Sequence, residues 1–212
     1  MSELKSYDDE YNNSPGFFWQ NEPASFVRLF VENNLISLDG KRVLDIGAGE
    51  GKNGVYLAKH GAIVDAVDVS KRALERFTQL KEYEVYKSNI NLINCDVLSF
   101  QATNTYDVVI CYGLLHALSG KAEVVFVIEK LKKLVNPLGF MIVATFNNLL
   151  PPPIEQPYLN IDAFLEICEL KSFFEDWGVV QFQENIITES HVTSVREHQH
   201  SISRIIAQNV RK

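Results

Sequence analysis

The sequence predicts an α/β fold: a doubly wound, mostly parallel sheet of seven strands that ends in an antiparallel hairpin. Three observations predict it. Between residues 42 and 146, short apolar runs alternate with helix-length segments, the pattern of a parallel sheet covered by helices. The first of those runs, "RVLDIG", leads into a glycine-rich turn, "GAGEG". The last two strand-like runs are joined only by "HVTSVREHQ", too short for a crossover, so they pair antiparallel. At 212 residues the chain has the size of one domain with a substantial core.

The elements follow in order. Residues 1–22 are polar and acidic, dotted with Tyr7, Tyr11, Phe17, Phe18 and Trp19. Residues 24–36, "ASFVRLFVENNLI", space their apolar positions as a helix does. Residues 1–36 are therefore expected to form an N-terminal helical or lid segment, and 37–212 the main domain. "RVLDIG" is a buried parallel strand. "KNGVYLAKHG" is a helix stopped by Gly61. "AIVDAVDVS" is the second strand, and Ser70 caps a helix over "KRALERFTQLKEYEV". "INLINCDV" and "YDVVICYG" are strands three and four, and "KAEVVFVIEKLKKLV" is a helix. Pro137 and Gly139 make "NPLGF" a turn before strand five, "FMIVATF". A proline-rich loop, "NNLLPPPIEQP", precedes one or two helices over "IDAFLEICELKSFFEDWG". "VVQFQENIITES" and "HSISRIIAQNV" are the final strands.

Composition narrows the function. A net charge of −7 argues against a nucleic-acid partner, which needs a basic face. No apolar run reaches the roughly 18 residues of a membrane span. The N-terminus is polar and acidic, unlike a signal or transit peptide, so a cytoplasmic location is expected. Cys95, Cys111 and Cys168 are widely spaced and odd in number, which fits reduced thiols rather than disulfides.

"VLDIGAGEGKNG", residues 43–54, can be read in two frames. Starting at Gly49 it is G-x-G-x-x-G, a dinucleotide fingerprint. Starting at Gly47 it is G-x-G-x-G preceded by Asp45, which suits a cationic ligand such as S-adenosylmethionine (SAM). Gly47 is the first glycine after the strand, where the tight turn belongs, and Asp45 would repel a pyrophosphate. Asp68 ends the second strand, where a carboxylate can accept from a ribose diol. Both candidate ligands carry that ribose. Ala48 and Val69 flank these positions and complete the expected binding set. Ligands in such sheets sit beyond the carboxyl ends of the strands, so Cys111, Tyr112 and Gly113 should line the site. His116, just beyond, either touches a substrate or packs at the start of a helix.

The ordered motifs and the reversed terminal hairpin resemble the class I SAM-dependent methyltransferase family across residues 40–212. That resemblance implies a Rossmann-like methyltransferase fold, SAM as methyl donor with S-adenosylhomocysteine as product, and an adenine-edge role for Asp96 and Val97. The C-terminal third is similar to the small tellurite-resistance-type methyltransferases. It has Glu169-Leu170, Phe173-Phe174, Trp177, Glu189-Ser190-His191 and Ala207, and "GEGKNGVYLA" matches their glycine-loop helix. In that group an Arg follows the His and both handle an oxyanion; here Val192 follows it.

The expected activity is methyl transfer to a small molecule, with no nucleic-acid or membrane partner and the oligomeric state open, monomer or homodimer. A NAD(P)-dependent oxidoreductase and a non-catalytic SAM-binding protein are the alternatives. His191, His200 and His116 are the candidate bases, since His exchanges a proton near neutral pH. Tyr83 to Lys87 matches the Y-x-x-x-K of short-chain dehydrogenases but precedes strand three, where that motif does not belong. His198 and His200 share a strand face with His191 nearby. No carboxylate stands at supporting spacing in sequence, so no metal is expected.

Overall fold

The computed structural model describes residues 7–13, 16–18, 22–156, 158–189 and 197–211. Two helices open the chain, α1 (Tyr7–Asn13) and α2 (Ser25–Glu32). Then come β1 (Arg42–Ile46), α3 (Lys52–Lys59), β2 (Ile63–Asp68), α4 (Lys71–Phe77), α5 (Lys81–Tyr86) and β3 (Ile90–Asn94). They are followed by β4 (Tyr106–Tyr112), α6 (Lys121–Lys132), β5 (Val135–Phe146), α7 (Glu169–Ser172), β6 (Gly178–Glu189) and β7 (His198–Gln208). One seven-stranded sheet results, in the order β3-β2-β1-β4-β5-β7-β6. β1 to β5 pair in parallel, and β7 runs antiparallel to both β5 and β6.

Alternation along the central strands explains why both faces are covered. Val43, Val108, Ile110 and Ile142 pack in one apolar cluster; Leu44, Val109, Cys111 and Met141 pack in the other. On the first face Phe26, Val27 and Phe30 of α2 are buried, and Phe30 meets Phe140 edge-on at 5.2 Å. Each such side chain contributes about 1.5–3 kcal/mol. On the second face Val124, Val127, Ile128 and Leu131 of α6 are buried with Phe174 and Trp177. α2 is thus part of the main core, while α1 packs against α4, where Tyr11 and Phe18 cluster with Ala73.

The structure departs from the expected elements in three places. The helix expected over 71–85 is two helices, because Leu80 turns extended and buries its side chain (φ −63°, ψ 133°). "NPLGF" lies within β5 as a bulge rather than before the strand. Pairing jumps from Tyr106–Val135 to Val108–Phe140, Leu138 takes φ 63°, and a Cβ on Gly139 would lie 2.8 Å from the Asp107 carbonyl. Residues 161–177 hold a 3-10 turn, Ile161–Ala163, and the short α7. Between them Leu165 bridges Asn147 in extended form, burying Leu165 against the sheet instead of continuing a helix.

β1 and β4 are neighbours, but the chain leaves β1 toward β2 and leaves β4 toward β5. Their following loops therefore diverge and open a crevice at the carboxyl ends of the strands.

Candidate functional site

A cavity of about 410 Å³ occupies that crevice. Its floor is the turn after β1. Gly47 is the first residue past the strand, at φ +74°, and its N–H donates to the Val67 carbonyl at 2.8 Å. A side chain there is strained by the backbone and would meet Leu114 Cβ at 2.9 Å. Gly51 caps α3 at φ +88°, where a Cβ would run into the ring of Phe77. Gly54 lies inside α3, and a Cβ there would stand 2.9 Å from the same ring. Gly47 therefore opens the turn, and Gly54 serves helix packing.

Asp68 forms the adjoining wall. Its Oδ2 accepts the Gly49 N–H at 2.7 Å and its Oδ1 the Ser70 N–H at 2.8 Å. Ser70 in turn caps α4 by accepting the Ala73 N–H. The carboxylate is held by the backbone on both sides and lines the cavity.

Asp45 lies beneath the turn, 1% exposed, and its Oδ2 has no hydrogen-bond partner among the described residues. Burial, then the charge of Asp68, push its carboxyl up to about 7, against the opposing Gly54 N–H and Lys52. Lys52, at the start of α3, lines the cavity, and burial lowers its ammonium from the usual range. A carboxyl so poised favours a cation placed nearby.

The far wall is aromatic. Tyr7, Tyr11, Phe17, Phe146 and Tyr158 line it together with His116, Glu189 and Ile202. The Tyr7 hydroxyl lies 3.2 Å from His116 Nε2, and the Phe146 N–H points at His116 Nδ1 at 3.4 Å. An Nδ1 that accepts leaves the proton on Nε2, so His116 donates to Tyr7. Burial, then the nearby His200, lower the imidazole to about 3. Residues 16–18 are pinned from below: Glu50 accepts the Phe18 N–H at 3.0 Å and pairs with Arg76 at 2.9 Å, and Arg76 also donates to the Gly16 carbonyl.

The structure brings together Gly47, Ala48, Gly49, Asp68, Val69, Tyr112, Gly113 and His116. Others fall elsewhere. Asp96 is absent from the cavity wall; its Oδ1 accepts the Leu98 N–H at 2.7 Å and closes a local turn. Val97 and Cys111 are buried in the core, and burial raises the Cys111 thiol far above its usual range. His200 stands behind Phe146, ring on ring, not on the cavity wall. His191 lies outside the described residues. Sequence reading missed Lys52, Phe146 and Glu189 as wall residues. Only Glu189 carried a signal, through the hairpin register that sets it opposite His198.

Comparison with known proteins agrees with this architecture. The crystal structure of TehB from Haemophilus influenzae superposes with a TM-score of 0.72 at 21% identity, over 86% of this chain and 62% of that one. In sequence, the probable S-adenosyl-L-methionine-dependent methyltransferase TehB of Haemophilus influenzae is 26% identical over 145 residues, 68% of this chain and 49% of that protein. The ubiquinone biosynthesis O-methyltransferase of Coxiella burnetii (strain Dugway 5J108-111) is 31% identical over 121 residues, 57% of this chain and 50% of that protein. The chain thus spans about half the length of the curated relatives it matches. The family model for the tellurite resistance protein TehB matches residues 27–203, most of the chain. The protein belongs to the TehB family.

Proposed function

We propose that this protein is a SAM-dependent methyltransferase that acts on a small-molecule acceptor. The observation that carries the reading is the pairing of the Gly47 turn with the Asp68 carboxylate around one cavity at the ends of β1 and β2. Family membership and the methyltransferase names of the relatives support it. Three free cysteines suit a reducing compartment, and a cytoplasmic location belongs to the same proposal.

Bound SAM would supply an electrophilic methyl whose carbon–sulfur bond breaks as an acceptor attacks in line, with S-adenosylhomocysteine as the leaving group. The chain's own residues bind, align and exclude water. Asp68, fixed by two backbone amides, offers its outer lone pairs to a ribose diol. Gly47, Ala48 and Gly49 let the backbone pass close beneath the ligand, with Val69 and Tyr112 beside it. Asp45, buried and short of a partner on one oxygen, suits the cationic end of the ligand. The aromatic wall shields the acceptor side. His116 orients Tyr7 rather than taking a proton, since both of its nitrogens are engaged.

Release of S-adenosylhomocysteine from SAM, screened over small acceptors beginning with selenite and tellurite, tests the activity. Acceptor-dependent release supports it. SAM binding without release over oxyanion, phenol, amine and thiol acceptors would favour a non-catalytic SAM-binding protein.

A further inference from the structure

Two imidazoles and a carboxylate converge where the last hairpin enters its connection. Glu189 ends β6 and stands opposite His198, the first residue of β7. His200 follows two residues on, opposite Ile187, so it shares the face. One donor atom from each of Glu189, His198 and His200 lies within 4.8 Å of the others, and Glu189 Oε2 is 4.0 Å from His200 Nε2. The two imidazoles meet edge-on, 4.7 Å between centroids at 86°. Both are buried, at 6% and 2% exposure, and His200 is held flat against Phe146 at 4.0 Å.

We propose that Glu189, His198 and His200 bind a divalent transition cation of the zinc class at the edge of the cavity. Two neutral imidazoles and a carboxylate are a donor set that such cations prefer. At metal–ligand bonds of about 2.0–2.1 Å, tetrahedral donors stand about 3.3 Å apart. Each donor pair therefore closes by about 1.5 Å at most, through side-chain torsions of the three ligands. The competing arrangement is an ion pair of Glu189 with a protonated His200. It would set a charged imidazole, stripped of water, beside a second buried imidazole. Lys52 and Arg204 also act on the Glu189 carboxylate, so the cation must displace part of that attraction.

Three protein ligands leave a coordination position open. Glu189 and Phe146 both line the cavity, so a cation here borders the acceptor space. This last step rests on the methyltransferase reading: the cation would hold an anionic oxygen or sulfur atom of the acceptor.

The test is a Zn²⁺ titration of tag-free, chelator-stripped protein by calorimetry, with the absorption spectrum of the Co²⁺-loaded form as a second readout. The expected result is one equivalent of tight binding and visible d–d bands from Co²⁺. H198A and H200A should each weaken Zn²⁺ by more than about 100-fold, beyond what loss of an outer partner costs. E189Q alters a partly exposed side chain and keeps the test valid where a buried histidine variant fails to fold. It should weaken Zn²⁺ at least about tenfold. Absence of a one-equivalent site, or equal affinity in wild type and E189Q, overturns the proposal. S-adenosylhomocysteine binding by the stripped protein is measured in parallel. Its loss would count against the methyltransferase reading and leave the cation site standing.

Discussion

The hydroxyl of Tyr7 and Nε2 of His116 meet at 3.2 Å across 109 positions of sequence, joining α1 to the loop after β4. With the Phe146 N–H on its other nitrogen, His116 is a neutral Nε2–H imidazole. Its folded pKa, about 3, is depressed, so the unfolded chain binds the extra proton. The stability this group contributes is present above about pH 6.5 and is lost as pH falls toward 3, by about 1.4 kcal/mol per unit. NMR of labelled imidazoles should show His116 as the Nε2–H tautomer with no titration between pH 8 and 5. A midpoint near 6.5 would contradict this assignment.

Phe146 is clasped between two imidazoles. His116 stacks on it at 3.8 Å and 14°, His200 at 4.0 Å and 7°, and two rings that close must occupy opposite faces. Phe146→Ala removes the middle ring and is expected to cost about 3–5 kcal/mol in denaturant unfolding. A loss under 1 kcal/mol would mean that the stack contributes little.

Asp45 couples ligand binding to pH. In the ligand-free fold its carboxyl sits at about 7 because it is buried near Asp68. A raised pKa adds stability at low pH that is lost as pH rises through about 7. Asp45→Asn should therefore stabilise the ligand-free protein at pH 8. A cationic ligand needs the carboxylate, so SAM affinity should fall by up to about tenfold per pH unit below 7. The asparagine variant should flatten that dependence. Parallel pH curves for the two proteins, measured by calorimetry, would contradict the coupling.

Glu50 and Arg76 form a buried pair, 3% and 4% exposed at the side chain, that also holds Gly16 and Phe18. Removing one partner strands the other charge. Glu50→Ala should cost about 3–5 kcal/mol. The double variant Glu50→Ala, Arg76→Leu should lose less than the sum of the single losses, and full additivity would show that the two do not act as a pair.

The alternation of strands and helices, the antiparallel hairpin at the end and the glycine turn were legible because each follows from local pattern: apolar runs, helix-length spacers and connection length. The cavity's far wall was legible only in part: the aromatic N-terminal lead that holds Tyr7 reads as a lid, but Phe146 and Glu189 come from separate segments that only tertiary packing brings beside it. Asp96 lies off the cavity wall, because an acid after a strand can serve its own backbone turn, as it does here with Leu98. The carboxylate beside His198 and His200 was hidden for a related reason. Glu189 is nine positions away in sequence, but antiparallel register sets it directly opposite.

SAM binding by the Gly47 turn and Asp68 decides the function. The most direct measurement is a thermal shift with S-adenosylhomocysteine, SAM, NAD and NADP side by side, on wild type and Asp68→Ala. A ligand at about 100 times its dissociation constant adds about 2.7 kcal/mol. For a domain of this size that is a shift of roughly 5–10 °C. Such a shift is expected in wild type with the two sulfur ligands alone, and is lost in Asp68→Ala. A shift with a nicotinamide and none with S-adenosylhomocysteine would contradict it.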